Sequence, residues 1–221
     1  AVVSVVPGDR PLLRVTDLVK EFKVRAEGGR PGVLHAVSGV SLEVGRGETL
    51  ALVGESGCGK SITALSILRL IPEPPGRIVG GSILFEGREL LMVNPTEMRE
   101  LRGNAISMVF QEPMTSLNPL HTIERQIGEI LELHGARGEE DVRARIVELL
   151  TEVGIPEPAT RLGAYPHQFS GGMRQRLVIA IALALNPKMI IMDEPTTALD
   201  VVVQREILQK IYALKEEFGF A

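Results

Sequence analysis

The chain has 221 residues, of which 24% are charged and 44% are hydrophobic, and its formal net charge is −4. This length suits one sizeable domain, or a core domain with an inserted lobe. The acidic balance, with two Tyr, six Phe and no Trp, provides neither a basic surface nor an aromatic platform, so we predict no nucleic-acid partner. No run approaches the ~20 apolar residues of a membrane span, so we expect any membrane contact to be peripheral.

The pattern of residues up to 85 predicts a small antiparallel β-subdomain. Alternation and β-branched residues indicate strands within 12–24, at 37–44 and at 82–85, with a turn at 26–32. The single cysteine excludes an internal disulfide, and the first residues lack the basic segment of a signal peptide. We therefore expect a reducing, cytoplasmic setting.

A glycine loop lies between a predicted strand at 49–53 and a predicted helix at 62–68. Its spacing, G-x-x-x-x-G-K-S, is the P-loop pattern, in which backbone N–H groups and a helix N-terminus surround nucleotide phosphates. The predicted ATP-binding residues here are Gly54, Glu55, Ser56, Gly57, Cys58, Gly59, Lys60 and Ser61. Lys60 would reach the β- and γ-phosphates, and the Ser61 hydroxyl would complete a Mg²⁺ shell.

Two alternative interpretations of this loop are weaker. An accidental lysine in a glycine-rich turn is disfavoured by the flanking strand and helix. Cys58 lies near Lys60 and a helix N-terminus, surroundings that favour thiolate, but we interpret it as a small loop residue in preference to a redox switch.

A second core strand is predicted at 105–110, and it places Gln111 at its carboxyl end, the edge where parallel sheets bind ligands. Residues 114–169 are instead predicted to be helical, with apolar residues at helical spacing that indicate packing. We infer a helical lobe inserted between two core strands. The predicted fold class is α/β, with a P-loop NTPase core of mostly parallel sheet, the flanking antiparallel β-subdomain and this lobe.

The last third carries two further patterns. Ser170, Gly171 and Gly172 begin a long apolar helix, where Ser170 is a plausible N-cap and the glycines form a second potential anion site. Four apolar residues, 189–192, then precede Asp193 and Glu194. Asp193 would hold Mg²⁺ through water, and Glu194 could polarise an attacking water. The alternative for two such acids is a solvated turn.

In this order, the motifs resemble the ATP-binding subunits of ABC transporters: Walker A, Q-loop at Gln111, signature, Walker B, and a D-loop at 197–200 that ends in Asp200. The segments 110–119 and 169–176 are similar to the dipeptide, oligopeptide and nickel importer branch, in which Met173 commonly replaces the usual signature Gln. The resemblance covers the chain from Leu12 and implies one nucleotide-binding domain, with core residues 12–113 and 170–221 and a lobe at 114–169.

The resemblance implies a head-to-tail dimer, homomeric or heteromeric, that clamps ATP between the P-loop of one copy and the segment 170–173 of the other. It implies that Phe22 stacks on adenine, although an aromatic residue in a β-subdomain is about as often core, and that Gln111 senses the γ-phosphate and Mg²⁺. The metal ligands would be Ser61, Gln111 and Asp193, and the catalytic residues Glu194 and Gln111. Membrane permease subunits, and indirectly an extracytoplasmic solute-binding protein, are the implied partners at the inner face of the membrane.

The family also places a switch histidine after the helix predicted at 202–217, and none of the four histidines stands there. The sequence is therefore interpreted as truncated, with nucleotide binding retained and hydrolysis reduced. A non-transport ABC-type ATPase acting on nucleic acid or ribosomes, and a nucleotide-binding fragment without catalysis, remain as alternatives. A P-loop kinase or GTPase is disfavoured, because neither explains Ser170 to Gly172.

Overall fold

A computed structural model describes residues 10–25, 31–112, 116–134, 138–196 and 199–221. Residues 26–30 of the predicted turn at 26–32, the motif residues 113–115 and the D-loop residues 197–198 lie outside these ranges, and residues 31–32 belong to a strand instead of the turn. The chain divides into a first unit that ends at Glu100 and a second unit from Leu101 to Phe220, with Ala221 grouped with the first. The division into a core and a lobe at 114–169 stays a prediction.

The first unit is built on a four-stranded antiparallel sheet with the order β2-β1-β3-β4. Its strands are β1 (Leu13–Arg25), β2 (Pro31–Val44), β3 (Gly76–Phe85) and β4 (Arg88–Glu89). Helices α1 (Lys60–Ile67) and α2 (Pro95–Leu101) follow β2 and β4 along the chain. The predicted antiparallel subdomain is confirmed, and β1 is one long strand instead of several short ones.

A bulge divides β1 without breaking it. The pairing register shifts between Val15 and Leu18, and Asp17 has a φ of 46°. Opposite this bulge lies Gly81, with a φ of 97°, where a Cβ atom would lie 2.6 Å from the carbonyl oxygen of Thr16. Only glycine fits this approach of two backbones, so the bulge and Gly81 fix the register together.

One predicted strand is wrong. Residues 49–53 have no regular secondary structure, and the side chains of Leu52 and Val53 are 43% and 94% exposed. A strand depends on hydrogen bonds to a neighbouring strand, and no strand in the described ranges pairs with this segment. Apolar composition alone therefore misidentified it.

The second unit contains two parallel strands, β5 (Ile106–Val109) and β6 (Met189–Met192), paired from Ile106 opposite Met189 to Val109 opposite Met192. Its helices are α3 (Ile123–Leu133), α4 (Glu139–Glu152), α5 (Gly171–Leu183) and α6 (Val201–Phe218). The strands and helices predicted from the sequence in this region are confirmed.

A continuous apolar core joins the helices of the second unit to its strands. The predicted stripes lie inside it, including Ile123, Ile127, Ile146, Leu149 and Val153. Within the described ranges, no helix is both long and apolar enough to cross a membrane. The antiparallel sheet, the helical segment and the parallel strands agree with the predicted fold class.

Candidate functional site

The glycine loop of the first unit leads directly into α1, as the sequence predicted. Gly59 is the N-cap of α1 and has a φ of 96°, and a Cβ atom there would lie 2.6 Å from the carbonyl oxygen of Ala36. The first turn of α1 contains no acidic residue. Its N-terminal N–H groups and helix dipole therefore favour an anion.

Lys60 is held by its own loop. Its Nζ donates hydrogen bonds to the carbonyl oxygens of Gly54, at 2.9 Å, and of Glu55, at 3.1 Å. Ser61 is the second residue of α1. These contacts keep the ammonium group at the loop, where a phosphate group could replace the carbonyl oxygens as its partner.

Cys58 packs inside the same loop. Its Sγ lies 2.5 Å from the position that a Cβ atom would have on Gly54, although Cys58 itself is exposed. A larger residue at position 54 would therefore displace the Cys58 side chain. The backbone N–H of Cys58 also donates to the carbonyl oxygen of Glu55, at 3.3 Å.

In the second unit, the residues that follow β5 and β6 meet at one edge of the sheet. The N–H of Asp193 donates to the carbonyl oxygen of Val109, at 2.9 Å, which continues the parallel pairing by one residue. Beyond it, Nε2 of Gln111 donates to Oε2 of Glu194, at 3.0 Å. The structure thus brings together an amide and a carboxylate that lie 83 residues apart in the sequence.

The backbone of Glu194 is in the left-handed region, with a φ of 47°. For a residue with a Cβ atom, this conformation costs roughly 1–2 kcal/mol. Such strain persists only where the surroundings hold it, and it is common at functional sites. It turns the chain sharply after β6, and the exposed Glu194 side chain points to Gln111.

Ser170 begins α5 as predicted, and its Oγ accepts a hydrogen bond from the N–H of Met173, at 3.3 Å. The two glycines that follow lie against α6 and the residue before its N-cap. A Cβ atom on Gly171 would lie 3.5 Å from Cδ2 of Leu199, and one on Gly172 would lie 2.8 Å from Cγ1 of Val203. Glycine at position 172 therefore permits the contact between α5 and α6.

Asp200 is the N-cap of α6, and its Oδ1 accepts hydrogen bonds from the N–H groups of Val202 and Val203. This contact is a helix cap. The D-loop role of Asp200 stays a prediction.

Phe22 lies in β1 of the first unit and is half-buried. A Cβ atom on Gly76 would lie 2.7 Å from its ring, and the Lys20 ammonium lies 6.0 Å from its ring centroid. Its ring also lines a cavity of about 230 Å³ with Val33, Pro74 and other residues. Phe22 therefore packs within the sheet region, and its contact with adenine stays a prediction.

A polar residue that the sequence did not single out is Gln204, in α6. Its Nε2 donates to the carbonyl oxygens of Thr196, at 3.2 Å, and of Leu199, at 2.9 Å. A glutamine in the first turns of a helix is ordinary in sequence, so no local signal identified it. Only the fold shows that it faces two backbone carbonyls of the preceding segment.

The predicted site residues divide between the two units. The phosphate loop and Phe22 belong to the first unit, whereas Gln111, the segment 170–173, Asp193, Glu194 and Asp200 belong to the second. Two of the histidines have partners of their own: His35 contacts Oε1 of Glu21, at 3.1 Å, and His167 stacks on Tyr165. Both histidines are exposed and make these contacts at the surface.

The predicted Mg²⁺ ligands suit the ion only if a bound nucleotide supplies further oxygen atoms. No cluster of three His, Cys, Asp or Glu side chains in the described part of the chain could hold a metal ion by itself. Ser61, Gln111 and Asp193 offer a hydroxyl, an amide oxygen and a carboxylate. Mg²⁺ prefers oxygen ligands and usually binds through one or two carboxylates, waters and substrate phosphates. Each of these oxygen donors is thus of a kind that Mg²⁺ accepts when it arrives with a nucleotide, and their role as its ligands stays a prediction.

Comparisons with known proteins agree with these features. Residues 37–197 match the family model described as ABC transporter. Over 96% of its length, the chain is 56% identical to the peptidoglycan transport ATP-binding protein YejF of Agrobacterium fabrum, of which it covers 38%. Over 93% of its length, it is 50% identical to the oligopeptide transport ATP-binding protein OppD of Bacillus subtilis, of which it covers 56%. The chain thus spans about half the length, or less, of these relatives.

A solved structure provides a further comparison. The ATP-binding cassette MJ0796, in a dimeric post-hydrolysis state bound to ADP and Pi, matches 94% of this chain with a TM-score of 0.79 and 30% identity, and 84% of that chain is covered. The resemblance inferred from the motifs is confirmed by these matches.

Proposed function

The chain belongs to the ABC transporter family, and from this premise we propose that it binds and hydrolyses ATP to drive an importer of di- or oligopeptides. The observation that carries the hydrolytic part is the hydrogen bond between Gln111 and Glu194. It directs a carboxylate at the edge of the sheet where β5 and β6 end, which is where parallel sheets generally bind ligands. A positioned carboxylate is the group that general-base activation of water requires.

The phosphate loop supplies the binding part of the proposal. Phosphate oxygens would accept hydrogen bonds from the loop N–H groups and from the N-terminus of α1. The Lys60 ammonium would exchange its two carbonyl partners for the β- and γ-phosphates, which are stronger acceptors because they are charged. Phe22 is proposed to contact the adenine ring through the face that lines its cavity.

Mg²⁺ is proposed as the cofactor, with oxygen ligands from Ser61, Gln111 and Asp193. When bound, the ion would neutralise charge on the phosphates and on the leaving group. Glu194 would then orient the water, and Gln111 would respond to the γ-phosphate. The segment 170–173 and Asp200 are proposed to act on the nucleotide of a second copy or of a related subunit.

The proposed partners are a second ATPase subunit, membrane permease subunits and, indirectly, an extracytoplasmic solute-binding protein, with this chain at the inner face of the membrane. Two observations support this set. The relatives carry transport names, peptidoglycan transport for YejF and oligopeptide transport for OppD, and the MJ0796 cassette is dimeric. The peptide substrate follows from the names of relatives and from the segments 110–119 and 169–176, since this chain need not contact the solute.

The experiment that tests the proposal measures MgATP binding and phosphate release by the full chain, with and without permease subunits in membrane vesicles. We expect saturable MgATP binding, phosphate release, and faster release when vesicles also contain the solute-binding protein loaded with peptide. Binding without phosphate release under all conditions would support a nucleotide-binding module and exclude the hydrolase. Purification with nucleic acid or ribosomes instead of a permease would exclude the transporter.

A further inference from the structure

Gln204 is a residue of α6 that has no assigned part in ATP hydrolysis. The backbone conformation at Glu194 requires an explanation, because a φ of 47° is unfavourable for a glutamate. The chain must therefore be held on both sides of this residue. On the upstream side, the N–H of Asp193 is bonded to the carbonyl oxygen of Val109 in the adjacent strand.

On the downstream side, the anchor is the side chain of Gln204. Its Nε2 donates to the carbonyl oxygen of Thr196, two residues after Glu194, at 3.2 Å. The same nitrogen donates to the carbonyl oxygen of Leu199, at 2.9 Å. Both partners are acceptors, so only the NH₂ end of the amide can face them, and its two hydrogens suffice for two bonds.

Gln204 is itself firmly placed. Its backbone N–H donates to the carbonyl oxygen of Asp200, at 2.9 Å, within the first turn of α6. Asp200 caps that turn through Val202 and Val203, and Val203 packs against Gly172 of α5. The amide therefore connects the segment after Glu194 to a capped and packed helix.

We propose that Gln204 is a positioning residue for ATP hydrolysis, which holds the backbone after Glu194 so that this carboxylate stays beside Gln111. The inference rests on the proposed function, because it assigns Gln204 an effect on the reaction through Glu194. Gln204 makes no contact with the nucleotide in this scheme. Its loss should lower the turnover number of the ATPase and leave the affinity for ATP unchanged.

The test compares three variants of the full chain. Gln204→Met keeps the length of the side chain and removes both donors. Gln204→Lys restores an N–H donor on a side chain of similar reach, so it should recover part of the activity. Gln209→Met makes the same chemical change at an exposed glutamine of the same helix and serves as the matched control.

For Gln204→Met we expect kcat to fall about tenfold with an unchanged KM for ATP, because the lost hydrogen bonds hold the backbone after Glu194 and not the nucleotide. Gln204→Lys should lie between this variant and the wild type, and Gln209→Met should match the wild type. A wild-type kcat in Gln204→Met would overturn the inference. So would an equal loss in Gln204→Lys, since that would indicate a general sensitivity of the helix to substitution.

A second measurement does not depend on activity. Hydrogen–deuterium exchange should become faster in Gln204→Met at the backbone amides of residues 199–203, because the segment loses its anchor. Exchange there should be unchanged in Gln209→Met. If the wild-type chain hydrolyses no ATP, the proposed function fails, while faster exchange still supports the anchor. Unchanged exchange in Gln204→Met overturns the anchor whether or not the chain is an ATPase.

Discussion

Nε2 of Gln111 donates a hydrogen bond of 3.0 Å to Oε2 of Glu194, and this bond joins the ends of two parallel strands. The amide fixes one carboxylate oxygen, so the Glu194 side chain has a defined direction before any ligand binds. A nucleotide phosphate could compete with Glu194 for the N–H groups of Gln111. Under the proposed function, the pair would then transmit the presence of the γ-phosphate to the carboxylate that is proposed to act on water.

The first prediction concerns the charge of Glu194. Glu194→Gln should keep MgATP binding and lower the hydrolysis rate at least about 100-fold, since general bases contribute about 10²- to 10⁴-fold. Phosphate release and nucleotide binding are measured on the same preparation. Glu157→Gln provides the matched control, because Glu157 is another glutamate with a positive φ, 49°. Hydrolysis at the wild-type rate in Glu194→Gln would exclude Glu194 as the general base.

The second prediction concerns the phosphate loop. Lys60→Ala should weaken ATP binding about tenfold or more, because a charged donor to the phosphates is lost. Isothermal titration with MgATP measures the change, and Lys210→Ala on α6 controls for the loss of one positive charge. Equal affinity in Lys60→Ala and the wild type would exclude Lys60 from phosphate binding.

The third prediction uses the exposed thiol of the same loop. MgATP should slow the alkylation of Cys58, because phosphates bound by the loop would cover its Sγ. The rate of labelling by a maleimide reagent, followed by mass spectrometry with and without MgATP, measures this protection. Cys58 is the single cysteine of the chain, so the labelled position is unambiguous. Identical rates would contradict the placement of the nucleotide.

The fourth prediction concerns the contact between α5 and α6. Gly172→Ala should destabilise the chain by about 1–3 kcal/mol, because the new Cβ atom would lie 2.8 Å from Cγ1 of Val203. Adding Val203→Ala should recover most of this loss, and urea unfolding of the four chains of the double-mutant cycle measures the coupling. Gly163→Ala is the control, since a Cβ atom there meets nothing within 4 Å. Additive effects would rule out the steric explanation.

The fifth prediction concerns pH. Burial raises the pKa of Glu152, and the nearby Glu148 and Glu217 raise it further, although Arg145 opposes them. The folded state therefore binds this proton more tightly than the unfolded chain. The contribution of Glu152 to stability should be lost as the pH rises above 4.5, the ordinary pKa of this carboxyl group, and passes through its raised pKa in the folded state.

Glu152→Gln removes this titration. At neutral pH the variant should be at least as stable as the wild type, because the buried Oε2 of Glu152 has no hydrogen-bond partner among the described residues. The difference in the free energy of unfolding between Glu152→Gln and the wild type should shrink as the pH falls from the raised pKa of Glu152 to its ordinary value. Urea unfolding at several pH values measures it, and a difference independent of pH would contradict the explanation.

Much of the local structure follows from the sequence. The spacing of apolar residues predicted α3 and α4, an N-cap before an apolar run predicted α5, and the apolar runs before Gln111 and Asp193 predicted β5 and β6. The helix that is α6 was expected from the family resemblance. Ser170 is the kind of residue that begins a helix, and glycines at the phosphate loop permit a positive φ. The helix starts and the glycine backbone depend on interactions within a few residues, so the local order of side chains determines them, whereas β5 and β6 also required each other as partners.

Pairing between distant segments depended on the tertiary structure. The apolar segment 49–53 was predicted as a strand, but a strand forms only where another strand supplies hydrogen bonds, which composition does not reveal. Likewise, the contact of Gln111 with Glu194 and that of Gly172 with Val203 join residues far apart in the chain. The role of Gln204 became visible only because the fold turns its amide toward Thr196 and Leu199. The sequence by itself determined most of the local elements and the order of the motifs that form the candidate site, and the tertiary structure decided which of their residues touch, because contact across the chain depends on packing and not on spacing.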